Sequence, residues 1–204
     1  MISKRSRGIA IKLLVLGCVI LLSACSKQSV QRAGEGATMG AVVGAAGGMF
    51  SALVFGGNVG EAAARGAVYG AGTGAASGAM IGAKENQVKK DQQVAAIEKL
   101  KSTLGEDAFN GLAALTKCKH DTALGYARTA AQLDDKNHAL AGLWIEVLAY
   151  ADSRQEDQAR ALFSDLVAKD SKISSEAQAE ESMRKALQKL MDIRGAYNLP
   201  RVCG

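Results

Sequence analysis

Charged, apolar and small residues divide the chain into distinct regimes. Residues 36–60 form a charge-free run of 25 residues, and residues 66–83 one of 18. Glycine keeps the register in both. Gly36, Gly40, Gly44 and Gly48 recur every four residues, and so do Gly66, Gly70, Gly74, Gly78 and Gly82. Between the ladders stand Gly56, Gly57, Asn58 and Gly60, then the first charges, Glu61 and Arg65. A four-residue period has no use in a strand, whose faces alternate every second residue, but on a helix it places the glycines along one side. A side without side chains lets a second helix approach backbone to backbone, the small-xxx-small packing of membrane helices. The pattern predicts two helices joined by a turn, a hairpin over residues 36–83.

In water these segments are poor helix formers, since each interior glycine costs roughly 1 kcal/mol against alanine. In a bilayer the helix is the way such a segment satisfies its own backbone. At about 1.5 Å per residue either run reaches across a hydrocarbon core of about 30 Å, the second barely. The first has Met39, Val42, Val43, Met49, Phe50, Leu53, Val54 and Phe55 to face lipid; the second has only Val68, Tyr69, Met80 and Ile81. The second is therefore expected to insert only as the return leg of a hairpin. A flexible Gly/Ala linker is the bland alternative, and a third arrangement joins the ladders of neighbouring chains.

After the ladders, Lys84 to Gln93 is a charged linker. From Val94 the pattern becomes amphipathic. Val94, Ile97, Leu100 and Leu104 lie at helical spacing, with Gly105 as the stop. Four helices follow: about 107–117 with Phe109, Leu112 and Leu115 inward; 121–133 with Leu124, Tyr126, Ala127 and Ala131; 137–152 with Leu140, Leu143, Trp144, Val147, Leu148 and Tyr150; and 155–169 with Ala159, Leu162, Phe163 and Leu166. Short connections make neighbours antiparallel. A last helix, 176–194, carries the stripe Met183, Leu187, Leu190 and Met191, has acids first and bases last, and stops at Gly195.

Tyr150, Ala159 and Phe163, with the turn Ala149 to Arg154 between the helices, resemble a tetratricopeptide repeat, although Glu146 and Val147 depart from its usual Leu-Gly pair and no proline closes it. A weaker copy ends in Ala123, Ala127 and Leu133. The resemblance implies a helical-repeat domain over residues 94–204, capped by the last helix. The alternative is a plain antiparallel bundle with the same core positions.

The chain opens with a basic segment (Lys4, Arg5, Arg7, Lys12), an apolar stretch Leu13 to Leu22, and Leu22-Ser23-Ala24-Cys25. This resembles a bacterial lipoprotein signal peptide over residues 1–24, with its lipobox. The resemblance implies that Cys25 becomes the acylated first residue of the mature protein, held to membrane lipid by two or three acyl chains, enough for stable anchoring. Ser26 after the cysteine resembles an outer-membrane address. Residues 25–35 would be a tether. The ladders behind a lipobox resemble the glycine-zipper outer-membrane lipoproteins, the group of the 17 kDa surface antigens, which implies an envelope location and little about activity.

The signal corrects the charge. The chain has 25 basic and 20 acidic residues; removing the four bases of the signal leaves 21 minus 20, or +1. No basic patch with interleaved aromatics stands out, so no nucleic-acid partner is expected. Of four cysteines, Cys18 leaves with the signal and Cys25 takes lipid, leaving Cys118 and Cys203. In an exported domain these are expected to pair; two free thiols or a bridge between chains are the alternatives. Cys118 and His120 are close, but no second ligand pair stands at metal spacing, so no metal or cofactor is expected. No catalytic constellation is found around His120 or His138, and the ladders lack the Gly-Lys-Ser/Thr of a phosphate loop.

The expectation is thus an all-α, non-enzymatic envelope lipoprotein: a glycine-zipper helical hairpin, then a repeat-like antiparallel helical domain that binds envelope proteins. A homo-oligomer through the zipper is the other partner expectation. Replacing Cys25 with alanine is expected to abolish incorporation of an alkyne-tagged fatty acid in growing cells, read by click labelling after electrophoresis.

Overall fold

The computed structural model describes residues 26–58, 62, 95 and 97–203, and every element among them is helical. The elements are α1 (Ser26–Phe55), α2 (Glu106–Thr116), α3 (His120–Ala131), α4 (Lys136–Asp152), α5 (Glu156–Ala161), α6 (Phe163–Lys169) and α7 (Glu176–Ala196), with a further helical stretch at 97–104 before α2. Each of α2 to α4 packs on the next, α5 returns along α4, and α7 lies against α4 and α6.

Helix ends explain the connections. Asp135 caps α4, accepting from the backbone N–H groups of Asn137 and His138 at 2.9 Å each. The backbone hydrogen bond from His138 is the main influence holding the Asp135 carboxyl below its usual range. Ser175 caps α7 through the N–H of Gln178. Three helices end with a non-glycine residue in the left-handed region: Cys118 after α2 (φ 57°), Arg154 after α4 (φ 62°) and Asn198 after α7 (φ 58°). Each is the C′ residue of a Schellman motif. The N–H groups of Lys119, Gln155 and Leu199 reach back to the carbonyls of Ala114, Tyr150 and Arg194. The last helix therefore passes the expected stop at Gly195 and ends at Ala196, because Asn198 supplies the left-handed residue. Gly105 does end the preceding helical stretch, at φ 84°, donating to the carbonyl of Lys101.

The expected long helix over 155–169 is broken at Leu162 into α5 and α6. Its inward residues hold: Ala159, Phe163 and Leu166 are buried, and Leu162 is half-buried. So are Phe109, Leu112, Leu115, Leu124, Ala127, Leu140, Leu143, Trp144, Val147 and Leu148. Ala131 and Tyr150 are half-buried, and Tyr126 departs furthest. It is 38% exposed, because the buried face of α3 is the row Ala123, Ala127 and Ala130, one position round the helix. Those alanines and Gly142 bring α3 and α4 together: a Cβ on Gly142 would stand 2.6 Å from the carbonyl oxygen of Ala127 and 2.5 Å from the nitrogen of Ala131.

The main departure from expectation concerns α1. Its first ten residues, expected to be a tether, are helical and continuous with the glycine-bearing part. Val42, Met49, Phe50 and Val54, assigned above to lipid, are buried in the protein at 0–1% exposure, with Ala45 and Ala46 beside them. They belong to the same core as Leu104, Leu112, Trp144 and Leu190, and α1 packs on α2, α4 and α7. Lipid and a protein interior are equally apolar, so hydropathy could not separate them. Among the described residues no helix is long and apolar enough to cross a membrane. After Phe55 the chain turns through Gly56 (φ 90°) and Gly57 (φ 133°). The second ladder, Gly66 to Gly82, lies outside the described residues, as do Cys25 and the linker 84–93.

Gly142→Ala is expected to lower the unfolding free energy by about 3 kcal/mol, since its Cβ meets backbone that cannot move aside. Urea denaturation followed by circular dichroism measures this.

Candidate functional site: a helix seat and a clamped helix end

Two places in the fold combine burial with chemistry. The first is the seat of α1. Helical geometry of 3.6 residues per turn sets Gly40, Gly44 and Gly48 on one side of α1, and Val42, Ala46, Met49 and Phe50 on the other. The helix thus has a glycine face and an apolar face back to back, and the domain holds the apolar one. Gly47, outside the four-residue ladder, marks the seam, where its missing side chain leaves room for Leu100, whose Cδ2 would overlap a Cβ built there. Fully burying Val42, Met49, Phe50 and Val54 is worth of the order of 6–12 kcal/mol as an upper bound. Against it stands a helix penalty of roughly 6 kcal/mol for the six glycines of α1, Gly34, Gly36, Gly40, Gly44, Gly47 and Gly48.

A polar chain fixes the end of the seated helix. Trp144 Nε1 donates to Asp170 Oδ2 at 2.9 Å, inside the core. Asp170, 1% exposed, also accepts from Lys172 Nζ at 2.6 Å and from the Lys172 N–H at 3.0 Å. The same Lys172 ammonium donates to the carbonyl of Val54 in the last turn of α1. A cation there satisfies an orphan carbonyl and suits the helix dipole.

The second place is where the C-terminal ends of α2, α4 and α7 meet. Arg194 is fully buried. It donates to the carbonyls of Leu115 and Thr116 at the end of α2, and makes a bidentate pair with Asp152 at the end of α4, at 2.9 and 2.7 Å. His120 Nε2 lies 2.8 Å from Asp152 Oδ2. Cys118 and Cys203 are joined by a disulfide across a sequence separation of 85 residues, with Cα atoms 5.5 Å apart, and Cys203 Sγ touches Asp152 Oδ2 at 3.3 Å. In the sequence Arg194 stands as one of the bases at the end of the last helix, where they suit the helix dipole. A signal was present: Arg194 continues the stripe Met183, Leu187, Leu190 at helical spacing, so it had to enter the core. Asp152 carried no such signal; the fold alone places it opposite Arg194.

Of the ladder residues, Gly36, Gly40, Gly44 and Gly48 lie in α1; Cys25 and Gly66, Gly70, Gly74, Gly78 and Gly82 are outside the described residues. Residues 4–87 match the family model of YMGG-like Gly-zipper proteins. The chain carries a glycine zipper. The match spans both ladders, and glycine-zipper proteins are in general membrane-associated, which supports membrane association here. No curated protein and no solved structure matches the chain.

Asp152→Ala leaves the Arg194 charge buried without its counterion and is expected to cost about 3–5 kcal/mol in urea unfolding. Adding Arg194→Met to that variant is expected to recover part of the loss. Lys172→Met removes the counterion of the buried Asp170 carboxylate and is expected to cost about 3 kcal/mol, and to speed amide exchange at the end of α1.

Proposed function

We propose that this is a lipid-anchored, non-enzymatic cell-envelope protein. Its helical domain acts as a protein-protein adaptor or assembly factor, and its glycine zipper works in or on the membrane, anchored through acylated Cys25. The observation that carries the reading is the seat itself: a core formed by α2, α4 and α7 that accepts the apolar face of a helix. The likeness of residues 138–170 to a tetratricopeptide repeat supports the reading, since helical repeats bind proteins through a concave face. An outer-membrane location follows from Ser26 within the same proposal. The seat accounts for the glycine face as well. With its apolar side held by the domain, the small-residue side of α1 is the one suited to pairing with a second zipper helix.

That geometry also favours one other reading. If the partner of the glycine face belongs to another copy, the protein assembles through its zippers into an oligomer, or a pore.

In-cell crosslinking with mass spectrometry separates the two, applied to the intact chain and to Met49→Glu, which places an unpaired charge in the seat and unseats α1. The adaptor reading expects crosslinks from residues 97–203 to other envelope proteins, increased in Met49→Glu. A ladder of the protein's own multiples, with no foreign crosslinks in either form, would replace it with self-assembly.

A further inference from the structure

The clamped helix end holds more ligand chemistry than a disulfide needs. His120 Nε2, Asp152 Oδ2 and Cys203 Sγ all lie within 4.8 Å of one another, and Cys118 Sγ is bonded to Cys203 Sγ. The four atoms come from separate pieces of chain: the Schellman turn after α2, the first residue of α3, the last residue of α4 and the C-terminal tail. His120 and Asp152 are mostly buried, with side chains 14% and 6% exposed. A cavity of about 450 Å³, open to solvent and lined by Cys118, His120, Ser153 and Gln155 among others, gives access to the sulfur and the imidazole.

We propose that, when the Cys118–Cys203 disulfide is reduced, this cluster binds one zinc ion through Cys118 Sγ, Cys203 Sγ, His120 Nε2 and Asp152 Oδ2. The disulfide and the metal are then alternative clamps for the same tail. Zinc takes four ligands tetrahedrally from cysteine, histidine and carboxylate, at about 2.3 Å for sulfur and 2.0–2.2 Å for nitrogen and oxygen. Ligand atoms on such a tetrahedron stand roughly 3.2–3.8 Å apart. The contacts His120–Asp152 at 2.8 Å and Cys203–Asp152 at 3.3 Å need little change. The two sulfurs must separate, which opening of their bond permits.

Charge decides in favour of the site. Two thiolates and one carboxylate carry three negative charges in a largely buried space. The zinc ion and Arg194 carry three positive ones, so the cluster closes neutral. Arg194, through its bidentate pair with Asp152, also holds the carboxylate in place.

The steps balance. A dithiol reductant opens the bond and leaves as its own cyclic disulfide, and both protein sulfurs become thiols. Zinc then displaces the two thiol protons to solvent, while His120 binds as neutral imidazole.

The test uses the full chain in detergent, oxidised or reduced with a phosphine and desalted without oxygen. Zinc is counted by a chromophoric chelator, and cobalt(II) serves as the spectroscopic probe. The expected result is one zinc per reduced chain and none per oxidised chain, and a sulfur-to-cobalt charge-transfer band with intense tetrahedral d–d bands. His120→Ala, which keeps the disulfide and can be checked for folding while oxidised, should weaken zinc binding at least tenfold after reduction. If the reduced chain loosens, zinc should restore its oxidised-state circular dichroism. The proposal is overturned by substoichiometric zinc, by a cobalt spectrum lacking the thiolate band, or by equal affinity in His120→Ala.

Discussion

Everything described in this protein depends on where α1 puts its apolar face. A helix with glycine at every fourth position has little reason to persist in water, and four buried side chains supply one. Val42, Met49, Phe50 and Val54 enter a core with Leu104, Leu112, Trp144 and Leu190, so the zipper segment and the helical domain share one interior. Release of α1 would expose both its own apolar face and the core beneath it. Packing, the Leu100 contact at Gly47 and the Lys172 bond to the last turn hold the helix in its seat.

The two polar clusters play complementary parts. The buried Trp144 and Asp170 and the more exposed Lys172 form a relay that ends on the zipper helix, tying the seat to the centre of α4. Arg194 and Asp152 tie three helix ends to each other and to the disulfide-held tail. Both are built on a charge that the core cannot tolerate unpaired, and in both every partner is present; among the described residues no buried side-chain polar atom lacks a hydrogen bond. Such clusters fix geometry more than they add stability, because removing one member leaves the other desolvated and alone.

The alanine row of α3 and Gly142 of α4 set how closely these two helices pack. Small residues let that pair approach closely, and the large side chains of α4 then fill the space toward α1 and α7. The family match over residues 4–87 describes the zipper half of the molecule. The helical half has to be read from its own geometry.

Much was legible from residue order alone. The four-residue glycine register, the all-helical character, the stripes of α2, α4 and α7 and the turn at Gly56 and Gly57 each rest on local periodicity or backbone preference, which a sequence states directly. Helix ends were less legible: Cys118, Arg154 and Asn198 take left-handed conformations that glycine would have announced, and Gly195 was a false stop. Only the tertiary structure decided which apolar surround receives Val42 and Phe50, that Arg194 is buried against Asp152, and that Asp152 meets His120 and the disulfide at one point. Periodicity says that a face must be buried; it says nothing about what buries it, because hydrophobic burial is non-directional. Charge partners from distant segments are chosen by packing, after the faces have met.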